Sequence, residues 1–308
     1  MEKVRASLLR MAKTALGDSI PADMTGRIAK EIMRGYDLHV RTGFRDSIPI
    51  SGQIAASAVV DDAVADGRFL LLVERMALLD REGFMGRPYK IPVLRDLFRA
   101  IQAEGYVWDE STRHFMENPT IRRTPNWGRL LEDEEYRFSL LRLDIVKNSR
   151  IVRKHGEEAA RAMYGDLRER FTRVVEQRHG RVWRWEGDGG MAAFHYGQGT
   201  TSAALAGVSF IHELFLFNRT ANVLGEPISV RLAAHTGPLQ YSASTTEISK
   251  QETAKEIVEL ESKRTPPDTL CLSNTLAQTL DRVLLDRFCE EHVDGTSLHL
   301  YRIDMENL

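Results

Sequence analysis

Apolar positions fall into two kinds of pattern along the chain. Up to about Glu117 they recur mostly at helical spacing. Ile28, Ile32 and Met33 mark a helix within Met24–Tyr36. Ser51 suits the N-cap of a helix through Ala65, with Ile54, Val59 and Val60 on or near one face. After the Asp66-Gly67 break, Phe69–Leu79 reads as a strongly apolar helix. Pro92 suits the first turn of a helix ending near Ala103. Tyr106–Phe115 alternates and turns over, as a small hairpin does. Residues 119–135 lose all period, carry prolines, a glycine and mixed charge, and read as a linker between residues 1–118 and residues 136–308.

Beyond the linker, strands enter. Phe138–Leu143 is a short apolar strand ended by Asp144. Glu157–Gln177 has helical spacing. Arg181–Glu186 and Met191–Tyr196 are strands flanking Gly187-Asp188-Gly189-Gly190. A long apolar helix, Ala203–Asn218, and a strand, Ile228–Ala234, complete the unit. The order strand, helix, strand, strand, helix, strand predicts an α+β fold with a ferredoxin-like βαββαβ core. Strands near Pro238–Ala243, Thr269–Leu272, Arg287–Val293 and Ser297–Ile303, and a helix near Lys250–Ser262, follow.

In that topology the first and third strands are the adjacent central pair. The hairpin carrying Asp188 then lies beside the end of the strand carrying Asp144. Converging carboxylates suit Mg²⁺ or Mn²⁺, which favour oxygen ligands and share them with phosphates. A pair of such ions can activate an attacking oxygen and neutralise a phosphate. Each residue also has a plainer reading. Asp-Gly is a strong hairpin signal, because the turn needs residues that tolerate positive φ. Asp144 suits the N-cap of a helix over Ile145–Val152.

Composition narrows the classes. The 308 residues are 43% hydrophobic and 28% charged, as in an ordinary globular protein of about two domains. A net charge of -2 gives no bulk attraction to nucleic acid or anionic lipid. Cys271 and Cys289 are too few for a disulfide framework or a zinc site, and suit a reducing cytoplasm. The N-terminus lacks the apolar core and cleavage site of a signal peptide, and the most apolar run is broken by His212 and Glu213, so no transmembrane helix is expected. His195, His212 and His235 show no metal-ligand spacing, and Arg122-Arg123 reads as a solvated pair in the linker.

Four ordered segments carry a resemblance: Leu143-Asp144-Ile145-Val146; His179-Gly180 with Gly187-Asp188-Gly189 and an apolar strand to Phe194; Val230–Ala234 with His235-Thr236-Gly237-Pro238; and Leu260-Glu261-Ser262 with Leu272-Ser273. Together they resemble the class III adenylate and guanylate cyclase catalytic domain, over roughly Tyr136 to Ile303. The resemblance implies a phosphorus–oxygen lyase that turns a nucleoside triphosphate into a 3′,5′-cyclic nucleotide and pyrophosphate, with two Mg²⁺ or Mn²⁺ ions on Asp144 and Asp188, at the interface of a homodimer. It implies that backbone N–H groups of Ile145, Val146, Lys147, Asn148 and Ser149 hold phosphate, as a helix N-terminus favours.

Departures fall on the half of the site that reads the base. Arg184 stands where the family carries lysine, and a planar fork differs from a point charge. Lys255 and Glu259 stand at the positions of the family's helix Asn and Arg, and Ile248 at its base-reading Asp. Gln251 with Lys255 offers an amide and a cation one turn earlier; the same residues equally make a solvated helix face with i,i+4 pairing. Three functions follow: a cyclase whose base is open, pyrimidines included; a cyclase-fold module that binds nucleotide and metal, or only dimerises, to regulate the N-terminal domain; and a DNA-binding regulator built on a winged-helix-like hairpin, which no concentrated Lys/Arg helix supports. Trp183 and Trp185 alternate around Arg184 and are expected on the helix-covered face of the sheet.

Overall fold

A computed structural model describes residues 4–110, 113–118, 120–121, 124–293 and 295–303. Arg122 and Arg123 lie outside the described residues. The chain divides into two compact units, Met1–Leu131 and Glu132–Leu308.

The first unit contains helices α1 (Ala6–Ser19), α2 (Ala22–Ile32), α3 (Leu38–Thr42), α4 (Gly52–Ala65), α5 (Phe69–Glu82) and α6 (Leu94–Ala103), then the hairpin β1 (Tyr106–Asp109) and β2 (His114–Glu117). Ser51 caps α4, its Oγ accepting from Ile54 N at 3.3 Å. Leu16, Val59, Phe69, Met76, Leu97 and Phe115 are fully buried in one core. Pro92 precedes α6 rather than entering its first turn, because Val93 takes the cap position. The segment read as a linker includes Trp127 and Leu130, which are buried. The irregular spacing there reflects turns rather than an open tether.

The second unit runs β3 (Glu135–Ile145), α7 (Asn148–His155), α8 (Glu157–Glu176), β4 (Arg181–Glu186), β5 (Gly189–Phe194), α9 (Gly199–Thr220) and β6 (Val230–Gln240). It continues through α10 (Thr245–Ser249), α11 (Glu252–Glu259), a π turn (Leu260–Arg264), β7 (Thr269–Ser273), α12 (Asn274–Ala277), α13 (Arg282–Leu285), β8 (Cys289–Val293) and β9 (Thr296–Tyr301). The sheet order is β4-β5-β3-β6-β7-β9-β8. Its first four strands are antiparallel, with β3 and β5 adjacent, as a βαββαβ core requires.

Alternation along β3 sorts its side chains. Leu141, Leu143 and Ile145 pack with Phe171 of α8 and with Phe210 and Leu214 of α9. Leu140, Arg142 and Asp144 face the other way. Burial explains why α9 is apolar enough to span a bilayer by length and composition: Ala203, Ala206, Phe210 and Phe217 lie in the sheet core.

The strands expected near Ile228–Ala234 and Pro238–Ala243 are one strand, β6, paired with β3 from Val230 to Gln240. Proline is tolerated because β7 pairs only with Arg231–Ala234. The Pro238 carbonyl accepts instead from Thr253 Oγ1 at 2.6 Å, so its ring nitrogen faces a side with no ladder to break.

Cys271 is buried in β7, and burial pushes its thiol up to about 12; Cys289 is exposed. With an aromatic disulfide reagent near pH ~8, where an ordinary thiol is partly ionised, Cys289 reacts fast and Cys271 only after unfolding. Two fast thiols contradict this packing.

Candidate active site

The hairpin answers whether Asp188 is needed by its turn. Glu186 pairs with Gly189, so the two-residue loop is Gly187-Asp188, not Asp188-Gly189. Gly187 takes the positive φ, 54°, and Asp188 is not among the positive-φ residues. Glycine first is the type II′ pattern, which leaves the second position open to most residues. The turn therefore demands Gly187 and makes no demand for a carboxylate at Asp188.

Register carries that loop to Asp144. Asp144 lies opposite Gly189 in β5 and opposite Arg231 in β6. It is a strand residue, so the N-cap reading fails; α7 starts instead behind Lys147, in the left-handed conformation with φ 57°. A side chain there costs about 1 kcal/mol relative to glycine. Glycine at position 189 is set by close approach of the backbone: an added Cβ would sit 2.8 Å from the Leu143 carbonyl oxygen, with Asp144 Oδ1 in ordinary contact at 3.6 Å.

The other carboxylate oxygen is engaged. Arg231 Nη2 donates to Asp144 Oδ2 at 2.5 Å. Arg231 Nε lies 3.0 Å from Glu261 Oε1, an ion pair without hydrogen-bond alignment. Arg142 Nε donates to Glu261 Oε2 at 3.1 Å. Glu261 is only 2% exposed. Burial and the Asp144 charge push its carboxyl above the usual range, against the two guanidiniums. The sequence does not group Arg142, Arg231 and Glu261, because they lie on β3, β6 and the π turn, far apart along the chain.

On the far side of the hairpin, Tyr164 of α8 donates to Asn148 Oδ1. Its phenol is pushed up by burial and then by the charge of Asp188, which places Asp188 within electrostatic reach of the start of α7. Of the predicted phosphate-holding N–H groups, one is corrected: Val146 N donates to the Ser229 carbonyl at 2.8 Å. Ile145 lies opposite Val230, and because successive N–H groups alternate along a strand, its own N–H points away from β6, to the hairpin side. Lys147, Asn148 and Ser149 keep backbone N–H groups with no intrachain acceptor among the described contacts, as at any helix start.

The residues expected to face the base are differently disposed. Arg184 donates to Ser249 Oγ at 2.7 Å and to Glu186 Oε2 at 2.5 Å. The Gln251 side chain forms a closed pair with the backbone of Gln240, accepting from its N and donating to its O at 2.8 Å each. It is a clamp between α11 and β6, not a free amide, and this corrects its reading as a substrate ligand. Lys255 is exposed on α11, and Glu259 pairs with Lys263 at 3.2 Å, the solvated-face reading. Ile248 is buried.

The tryptophans part company. A bulge between Val182 and Arg184 breaks the alternation. Trp185 packs on Phe171 of α8, but Trp183 lies against Phe138 on the opposite face of the sheet. Three histidines meet local partners: His212 bonds Tyr301, His195 the Arg137 carbonyl, and His235 bonds Ser273 Oγ through Nδ1, while its Nε2 faces Glu256 at 2.7 Å without hydrogen-bond alignment.

No group of three or more His, Cys, Asp or Glu that could hold a metal occurs among the described residues. The donor set still fits a hard divalent cation. It offers two carboxylates on neighbouring chain segments, and a guanidinium already standing as a cation on Asp144.

No family model matches the sequence, and no curated protein matches it. Solved structures are similar in fold. The monomeric guanylyl cyclase domain of the RhoGC fusion protein from the aquatic fungus Blastocladiella emersonii aligns at TM-score 0.48 and 14% identity, over 56% of this chain and 98% of that one. The adenylyl cyclase CyaB from P. aeruginosa aligns at 0.48 and 14%, over 58% and 100%. The guanylate cyclase domain of RhGC from Catenaria anguillulae, in complex with GTP, aligns at 0.45 and 14%, over 55% and 96%.

Gly190 is fixed by close approach. A Cβ there would lie 2.3 Å from the Trp185 ring. Gly190→Ala should lower stability by about 1–3 kcal/mol in a denaturant titration, the cost of overpacking. A change below about 0.5 kcal/mol contradicts the Trp185 placement.

Proposed function

We propose that the second unit is a nucleotidyl cyclase that converts a nucleoside triphosphate into a 3′,5′-cyclic monophosphate and pyrophosphate, working as a cytoplasmic homodimer. The observation that carries this reading is the hairpin. Its turn needs Gly187 but not Asp188, and the strand register sets that loop beside Asp144. A carboxylate with no turn duty, next to a second one, suits a cation site better than a structural turn.

In the reaction the ribose 3′-oxygen bonds to the α-phosphorus, the bond to the β-phosphate bridging oxygen breaks, and the hydroxyl proton leaves to solvent. Asp144 and Asp188 would hold Mg²⁺ or Mn²⁺, which when bound would supply charge neutralisation and make the attacking hydroxyl more acidic. The chain's own part is positioning. The N–H groups of Lys147, Asn148 and Ser149 offer donors to the phosphates, and the Lys147 side chain adds a positive charge beside them. Lys255, exposed on α11, offers a cation for a phosphate reached from a second copy.

The base is left open. Arg184 is held by Glu186 and Ser249, Gln251 is consumed, and Ile248 is buried. These three observations also favour a second reading, in which the unit binds nucleotide and cation without turnover and passes that state to the helical unit.

The test supplies each of the four nucleoside triphosphates with Mn²⁺ and measures pyrophosphate and cyclic product. Turnover of at least one base is expected. Asp188→Asn should lower the rate by about 100-fold or more, roughly 2.7 kcal/mol of barrier, with stability changed by less than about 0.5 kcal/mol. Metal-dependent nucleotide binding with no product for any base supports the second reading, and full turnover in Asp188→Asn rejects the cation assignment.

A further inference from the structure

We infer that Arg231 is a positioning residue for the cation site: anchored by Glu261 and Arg142, it holds one oxygen of Asp144 and aims the other at the hairpin. The inference rests on the reading of Asp144 and Asp188 as cation ligands, and goes beyond it by naming what orients them.

The geometry is a relay of alternating charge across two neighbouring strands and the π turn. Arg142 Nε reaches Glu261 Oε2 at 3.1 Å, Glu261 Oε1 reaches Arg231 Nε at 3.0 Å, and Arg231 Nη2 reaches Asp144 Oδ2 at 2.5 Å. Arg231 Nη1 adds a donor bond to the Ser262 carbonyl at 3.3 Å. Two of the three guanidinium nitrogens of Arg231 thus donate hydrogen bonds while Nε faces Glu261 as an ion pair, and these three contacts set the orientation of the planar fork.

The middle of the relay is dry: Glu261 is 2% exposed, while the Arg231 and Asp144 side chains are 27% and 23% exposed. Burying a carboxylate between two guanidiniums is not a route to greater stability by itself. It does fix a rotamer. With Oδ2 taken by Arg231, Asp144 is left with Oδ1, the oxygen nearest the Cβ direction of Gly189 and so on the hairpin side. Two arginines and two carboxylates leave the row neutral, so the divalent charge falls to Asp188 and the phosphates to balance.

Charge and orientation predict opposite effects of removing Arg231. If only charge mattered, losing a cation beside the site would tighten divalent binding. If orientation matters, losing a partner that aims a ligand weakens it, typically 10–100-fold.

The experiment measures Mn²⁺ affinity of the full chain by electron paramagnetic resonance, without nucleotide and without turnover, for the wild type, Arg231→Gln, Arg231→Lys, Glu261→Gln and Asp188→Asn. Weakening by about 10-fold or more is expected in Arg231→Gln. It is also expected in Arg231→Lys, which keeps the charge but loses the fork. Glu261→Gln tests the anchor should the arginine variants fail to fold, and is expected to weaken binding too. Unchanged or tighter binding in folded Arg231→Gln, with binding lost in Asp188→Asn, overturns the relay alone. Absence of Mn²⁺ binding by the wild type, or wild-type affinity in Asp188→Asn, overturns the cation reading and the relay with it.

Discussion

The pairing of β3 with β5 on one side and β6 on the other is the constraint on which the site depends. It sets Asp144 opposite Gly189 and Arg231 at once. Side chains alternate along a strand, so a one-residue slip would move Asp144 into the core beneath α8 and α9 and bring Leu143 or Ile145 out. That slip is blocked by burial: Leu141, Leu143 and Ile145 are at most 2% exposed, packed under the two long helices. The apolar face of β3 thereby fixes where its polar face delivers a carboxylate.

On that polar face the residues serve different ends. Asp144, Arg231, Glu261 and Arg142 form one connected row. Arg184, Glu186 and Ser249 form a second, beside β4. Gln251 ties α11 to β6 through the Gln240 backbone. The row through Asp144 and the row through Arg184 share no side chain and are separate networks.

Most of the fold was legible because its signals are local and strong. The Ser51 cap, the period of α5 and α8, and the glycine loop between β4 and β5 each declare an element. The split of β6 at Pro238 was misread because a proline rule that holds inside a ladder does not apply where the next strand has ended. Trp183 was misplaced because a bulge is invisible to simple alternation. That the loop carrying Asp188 lies beside Asp144 was legible from motif and topology. Three things were not: that the turn loads its strain on Gly187, that Gln251 is spent on a backbone clamp, and that Arg231 reaches Asp144 with Glu261 behind it. Each depends on contacts between residues far apart in sequence.

The central claim is that Asp144 and Asp188 share a cation. Its most direct measurement is anomalous diffraction from crystals grown with Mn²⁺ and a non-hydrolysable nucleoside triphosphate. The account predicts a manganese peak in contact with oxygens of both carboxylates, with phosphate oxygens completing its shell. Bound nucleotide with manganese elsewhere on the chain, and Asp188 directed into solvent, would contradict it.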